Sequence, residues 1–124
     1  MPPQRRRRRL SRSADFERVY REGRSHSTRH LVVYAFPRGD DGEPPRLGVS
    51  VGRKVGGAVE RNRVKRLLRE AFWQLADELQ PGHDFVLVAR PDAGELAREG
   101  GEPQVEAELR GLLQTAGLTS EGNG

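Results

Sequence analysis

Between Arg53 and Arg69 the chain places Arg53, Lys54, Arg61, Asn62, Arg63, Lys65, Arg66 and Arg69. These are the residue types that bind phosphate. A guanidinium fork matches two phosphate oxygens at once, and an ammonium acts as a compact point charge. An asparagine can reach a phosphate or a base edge. A helix advances about 100° per residue. With Val64 at zero, Leu67, Leu68, Ala71, Phe72, Leu75 and Leu79 fall within about 80° of it. Asn62, Lys65, Arg66 and Arg69 gather at about 100–200°, and Trp73 at about 180°, where it reads as an exposed ring. A solvated face ordinarily mixes signs so that acid–base pairs form. This one is nearly all cationic over three turns, and such a stripe suits a polyanion. Arg53 and Lys54 precede it in the loop Gly52–Gly57, where backbone N–H groups can also approach a phosphate.

Phe16, Tyr20 and Tyr34 form a second set. Phe16, Val19 and Tyr20 share one helical face, and Tyr34 lies in an apolar run. Three such rings are ordinary core material. They also suit a platform on which unpaired bases stack, because tyrosine tolerates a half-wet cleft. Both readings stay open at this point. Gly48 and Ser50, on one face of a strand, would leave such a cleft shallow.

Catalytic chemistry finds little support. Gly48-Val49-Ser50-Val51-Gly52 matches the spacing of a hydrolase nucleophile elbow, but that motif needs a sharp strand-to-helix turn at the serine. Ser50 sits within an alternating strand, with only His83 downstream as a base. Gly52–Gly57 has the first half of a nucleotide-binding loop, yet Ala58-Val59 replaces the required Lys and Ser/Thr. His26, His30 and His83 lack metal-ligand spacing. The sequence predicts no catalytic protein residue and no protein-held metal.

The remaining composition agrees with a small RNA-binding domain. The chain has 124 residues, enough for one core. Residues 1–75 hold 19 Lys and Arg against 8 Asp and Glu, and residues 76–124 hold 3 against 10. Charge is therefore segregated along the chain, as expected for one cationic surface. Cysteine is absent, which excludes disulfides and thiolate zinc sites and fits a cytoplasmic protein. No apolar run is long enough to span a bilayer. The basic N-terminus lacks the apolar stretch of a secretory signal.

The elements that must position these residues follow from pattern. Residues 1–12, with Arg5 to Arg9 unbroken, predict a free basic arm that contacts RNA. Ser13 is expected to cap a helix that ends before Gly23. Leu31–Phe36 and Arg46–Val51 read as strands, with a weaker extended piece around Arg24–His30. The basic helix is expected from Ala58 to Leu79, and Asp84–Ala89 as a buried strand. Pro91 to Gly101 reads as a loop with a turn of helix at Glu95–Arg98. Pro103 then opens a final helix to Ala116. The prediction is one domain over residues 13–116, followed by a flexible tail at 117–124. Its class is α+β, a single-domain α-β sandwich in the order α-β-β-β-α-β-α.

Gly48-Val49-Ser50-Val51, Arg53-Lys54-Val55-Gly56 and the run Ala58 to Phe72, with Arg61-Asn62-Arg63 at its heart, resemble the signature of the bacterial ribonuclease P protein subunit. Arg9-Leu10, Asp15-Phe16, Val19-Tyr20 and Gly23 resemble that family's first helix, and Asp84 to Arg90 its last strand. The resemblance covers roughly residues 9–115. It implies a fold also seen in the second domain of a ribosomal small-subunit protein, with a left-handed β-α-β crossover against the usual rule. It implies removal of the 5′ leader of precursor tRNA by a catalytic RNA with bound Mg²⁺, without a membrane or small-molecule ligand. The partner RNA would meet Arg53, Lys54, Arg61, Asn62, Arg63, Lys65, Arg66 and Arg69. The single-stranded leader would lie in a cleft at Phe16, Tyr20, Tyr34 and Ser50. Tyr20 stands where many relatives have Phe. Gly52 and Gly57 replace a Ser and an Asn often seen there, which puts the loop's side-chain contacts in doubt. A structural RNA-binding protein of the ribosome, with no need of a leader cleft, is the rival expectation.

Overall fold

The computed structural model describes residues 8–39 and 43–119. Five strands form one mixed sheet: β1 (Arg8–Arg9), β2 (Arg24–Ser27), β3 (Leu31–Pro37), β4 (Arg46–Val51) and β5 (His83–Ala89), in the order β1-β4-β5-β3-β2. Three helices complete it: α1 (Ser13–Glu22), α2 (Ala58–Leu75) and α3 (Ala93–Thr115). The central strand β5 runs antiparallel to β3 and parallel to β4, so α2 is the crossover between two adjacent parallel strands. The α+β expectation holds.

Side-chain alternation divides the sheet into two unequal faces. Leu31, Val33, Ala35, Leu47, Val51, Phe85 and Leu87 point into the main core, which α2 and α3 cover. Val86 points the other way into a small core with Leu10 and Val19, against which Phe16, Tyr34, Phe36 and Val88 pack. The smaller α1 covers this second face incompletely. Gly23, at its end, lets it sit close to the sheet, since a Cβ there would lie 2.7 Å from the Ala35 carbonyl oxygen.

Several boundaries differ from expectation. Arg8 and Arg9 are not part of a free arm, because they pair in parallel with Arg46 and Leu47. Leu10 anchors this strand by its burial. The preceding residues lie outside the described part. Ser13 begins α1 rather than capping it; Arg12 occupies the cap position and offers no side-chain bond. The basic helix stops at Leu75, and Ala76–Glu78 form a 3-10 turn. Leu79 remains buried because it bridges to Thr119. That bridge and the bond from Gln80 N–H to the Leu118 carbonyl hold residues expected in a loose tail.

The largest departure is α3. Helix begins at Ala93 rather than at Pro103, and Gly101 kinks it with φ 62° and ψ −157°. Its first half buries only Ala93, Gly94 and Ala97. Small residues give a weak apolar signal in sequence, yet they allow close approach to the loop before α2. A Cβ on Gly94 would lie 3.1 Å from the Val55 carbonyl oxygen.

One buried charge ties the loop between β3 and β4 to the central strand. Asp84 is 1% exposed. It accepts two bonds from Arg46, at 2.8 and 2.7 Å, and one from Arg38 at 2.9 Å. Arg38 also donates to the Pro44 carbonyl. Removing one partner from such a buried cluster leaves uncompensated charge. Asp84→Ala is therefore expected to destabilise the fold by about 3–5 kcal/mol, read as a lower urea midpoint at unchanged slope. A loss within measurement error would show that the cluster is not structural.

Candidate nucleic-acid interface

The helix α2 is fixed by its apolar side. Val64, Leu68, Ala71, Phe72 and Leu75 are buried. Phe72 meets Phe85 of the central strand with ring centroids 5.3 Å apart. This contact sets the rotation of the helix about its axis, and so aims the other side. Asn62, Arg63 and Arg66 are exposed, and Arg61, Lys65 and Arg69 half-buried. Arg53 and Lys54 are exposed on the 3-10 turn before the helix.

The charge pattern is selective. Several arginines elsewhere find acids: Arg29 with Asp92, Arg98 with Glu60, Arg110 with Glu78 and Glu106. Among the described residues, no cation from Arg53 to Arg69 makes an ion pair. Even Glu60, the acid in the first turn of α2, is taken up by Arg98 of α3 at 2.6 Å. The Nε of Arg61 is buried without a hydrogen-bond partner. An unmet buried donor costs about 1–3 kcal/mol, and an incoming phosphate oxygen is the kind of acceptor it lacks.

Trp73 corrects one expectation. It is half-buried rather than a free ring on the polar side, and its indole meets Phe72 edge-on at 4.9 Å. Its position on the helix is close to that expected, but the edge of the core extends around to meet it.

The aromatic set does come together, on the opposite face of the sheet. Tyr20 and Tyr34 make an edge contact at 4.9 Å, and Phe16 follows at 6.3 Å from Tyr20. The three are not equivalent. Phe16 lies over Gly48, where a Cβ would come within 2.5 Å of the ring. It packs against the small core and is half-buried. Tyr20 is 40% exposed. Ser50 lies beside it on the sheet, and its hydroxyl favours the ionised phenol. Gly48 and Ser50 do share this face, but Phe16 covers Gly48, so the accessible part of the cluster is Tyr20 with Ser50 beside it.

Serine chemistry finds no geometry here. Ser50 stands opposite Val88, whereas His83 stands at the far end of the same strand and bonds the Pro81 carbonyl. His30 is engaged by Glu108 at 2.9 Å. No three His, Asp or Glu among the described residues gather to hold a metal ion. No described helix is long and apolar enough to cross a membrane.

A family model of ribonuclease P matches residues 4–117. The chain belongs to the ribonuclease P protein family. The ribonuclease P protein component of Bacillus cereus strain G9842 is 39% identical over 112 residues, covering 89% of this chain and 91% of the relative. The solved RNase P protein of Staphylococcus aureus superposes with a TM-score of 0.78 at 32% identity, covering 91% of this chain and 98% of that one. The RNase P protein of Thermotoga maritima does so with 0.76 at 34% identity, covering 86% and 96%.

Within this family setting the two loop glycines are permissive rather than required. A Cβ at Gly52 or Gly57 would meet nothing within 4 Å. Their φ values, −84° and −73°, suit any residue. The loop therefore loses side-chain contacts by having glycine there, while its path does not depend on it.

The Tyr20 phenol is raised above its usual value of 10.0, chiefly by burial, with the Ser50 hydrogen bond drawing it partly back and Tyr34 adding a smaller upward push. A raised folded-state value favours the neutral phenol. The corresponding stability is present below pH about 10 and is lost as pH rises through the folded value. In an ultraviolet tyrosinate titration of the Tyr34→Phe variant, Tyr20 is expected to ionise above the free value, and higher still once Ser50→Ala is added. A downward move on removing Ser50 would contradict the hydrogen bond.

Proposed function

We propose that the chain is the protein subunit of ribonuclease P, binding the catalytic RNA through α2 and its preceding loop and the 5′ leader of precursor tRNA at the aromatic cluster. The observation that carries this reading is the cationic side of α2 and its loop, where none of seven cations has an acid partner among the described residues. Arg53, Lys54, Arg61, Asn62, Arg63, Lys65, Arg66 and Arg69 are the residues assigned to the catalytic RNA. Phe16, Tyr20, Tyr34 and Ser50 are assigned to the leader. Cytoplasmic residence belongs to the same proposal.

The division of labour follows from the side chains. Cations lower the repulsion between phosphates and so help a folded RNA and its substrate approach each other. The aromatic cluster offers ring edges to the unpaired nucleotides of the 5′ leader, which precursor tRNA has and mature tRNA lacks. Binding energy placed there favours the precursor. Mg²⁺, supplied with the RNA and substrate, would activate the water and stabilise charge at the scissile phosphate. The protein's own residues bind and orient, and none is assigned a proton transfer.

Purified protein alone is expected to cleave no precursor tRNA, and to raise turnover when added to the catalytic RNA at low Mg²⁺. Cleavage by the protein by itself would overturn the reading. Arg66→Ala is expected to weaken affinity for the catalytic RNA and flatten its salt slope by about 1; an unchanged slope removes Arg66 from the interface. Phe16→Ala is expected to weaken precursor affinity by about tenfold more than mature tRNA affinity. Equal losses would make the ring a core residue only.

A further inference from the structure

The two-residue strand β1 has an effect on α2 that the family signature does not include. Arg9 pairs in register with Leu47, whose side chain enters the main core under α2, while the next residue, Leu10, enters the small core under α1. Alternation thus places Arg9 on the α2 side of the sheet. There it lines a pocket of about 280 Å³ with Arg66, Arg69, Glu70 and Trp73. Arg66, Glu70 and Trp73 follow one another at helical spacing on the outward side.

None of these three arginines makes an ion pair or hydrogen bond with another described residue, and neither does Glu70. Three like charges converge there, and Glu70 is the one carboxylate of the lining. The indole beside them is held in place by Phe72 at 4.9 Å. A bare anion would have no use for the ring, and an apolar ligand none for the guanidinium groups. A nucleotide uses both, and the volume suits one nucleotide rather than a helix. Glu70 adds a choice of base, because a carboxylate accepts from the exocyclic amine of cytosine, whereas uracil carries a carbonyl oxygen there.

We infer that the pocket of Arg9, Arg66, Arg69, Glu70 and Trp73 holds one unstacked nucleotide of bound RNA, with its phosphate on the guanidinium groups, its base against the indole and its amine donating to Glu70. The inference rests on the RNA-binding reading above and adds to it a subsite with a base preference.

Trp73 is the only tryptophan of the chain, so its emission reports this pocket alone. The full chain is titrated with hexacytidylate and hexauridylate, while the anisotropy of an end-labelled strand reports binding anywhere. Hexacytidylate is expected to quench Trp73 with a midpoint about fivefold below that of hexauridylate. Glu70→Ala should abolish that difference. Arg9→Gln should raise the midpoint about fivefold and lower the salt slope by about 0.7. Arg24→Gln, on strand β2 at the opposite edge of the sheet, removes the same charge and should leave the quenching midpoint unchanged. Anisotropy rising while Trp73 emission stays constant would overturn the pocket and leave the RNA-binding reading standing. No change in either signal would count against both. Quenching with equal midpoints for the two strands would remove the amine contact.

Discussion

Everything functional in this molecule depends on how Phe72 seats against Phe85. That contact joins the crossover helix to the central strand of the sheet and fixes the helix's rotation. A helix with one apolar stripe has a single comfortable orientation on a sheet. Once Val64, Leu68 and Leu75 are buried with Phe72, the cations have nowhere to point but outward. The core thereby acts as the positioning device for the charged surface, and no dedicated polar scaffold is needed to hold it.

The sheet separates two kinds of surface. On the side of α2, long flexible cations offer charge and reach. On the side of α1, a cluster of rings packs on the sheet with Tyr20 at its exposed edge. The two surfaces belong to opposite faces of the same strands, so β4 contributes Leu47 and Val51 to the core below the cations and Gly48 and Ser50 to the face beneath the rings. A shift in the register of β4 by one residue would exchange these roles. Parallel pairing with β5 over its whole length opposes such a slip.

Much of this was legible in the order of residues. The apolar periodicity of Val64 to Leu75 announced the helix and the side that would be buried. The alternation in Arg46–Val51 announced that Gly48 and Ser50 would share the face opposite Leu47 and Val51. What escaped prediction shares a physical cause: it depends on contacts distant in sequence. Arg8 and Arg9 look like part of an arm because nothing local tells a polar pair that an open strand edge awaits it. The first half of α3 buries alanines and a glycine, whose value lies in allowing close approach rather than in their own hydrophobicity. Trp73 was placed correctly around the helix, but its burial depends on how far the neighbouring core extends. Family resemblance and the physical reading converge on α2 because there both depend on the same residues.

The helix α3 carries five glutamates and two arginines, nearly the inverse of the helix it packs beside. Electrostatic influence in physiological salt decays over about 8 Å, close to the roughly 8–10 Å spacing of packed helices. The acidic flank therefore works as a kerb. A polyanion seated on α2 would meet rising repulsion on that side within about one helix diameter. Charge segregation along the chain becomes, in three dimensions, a track with an edge.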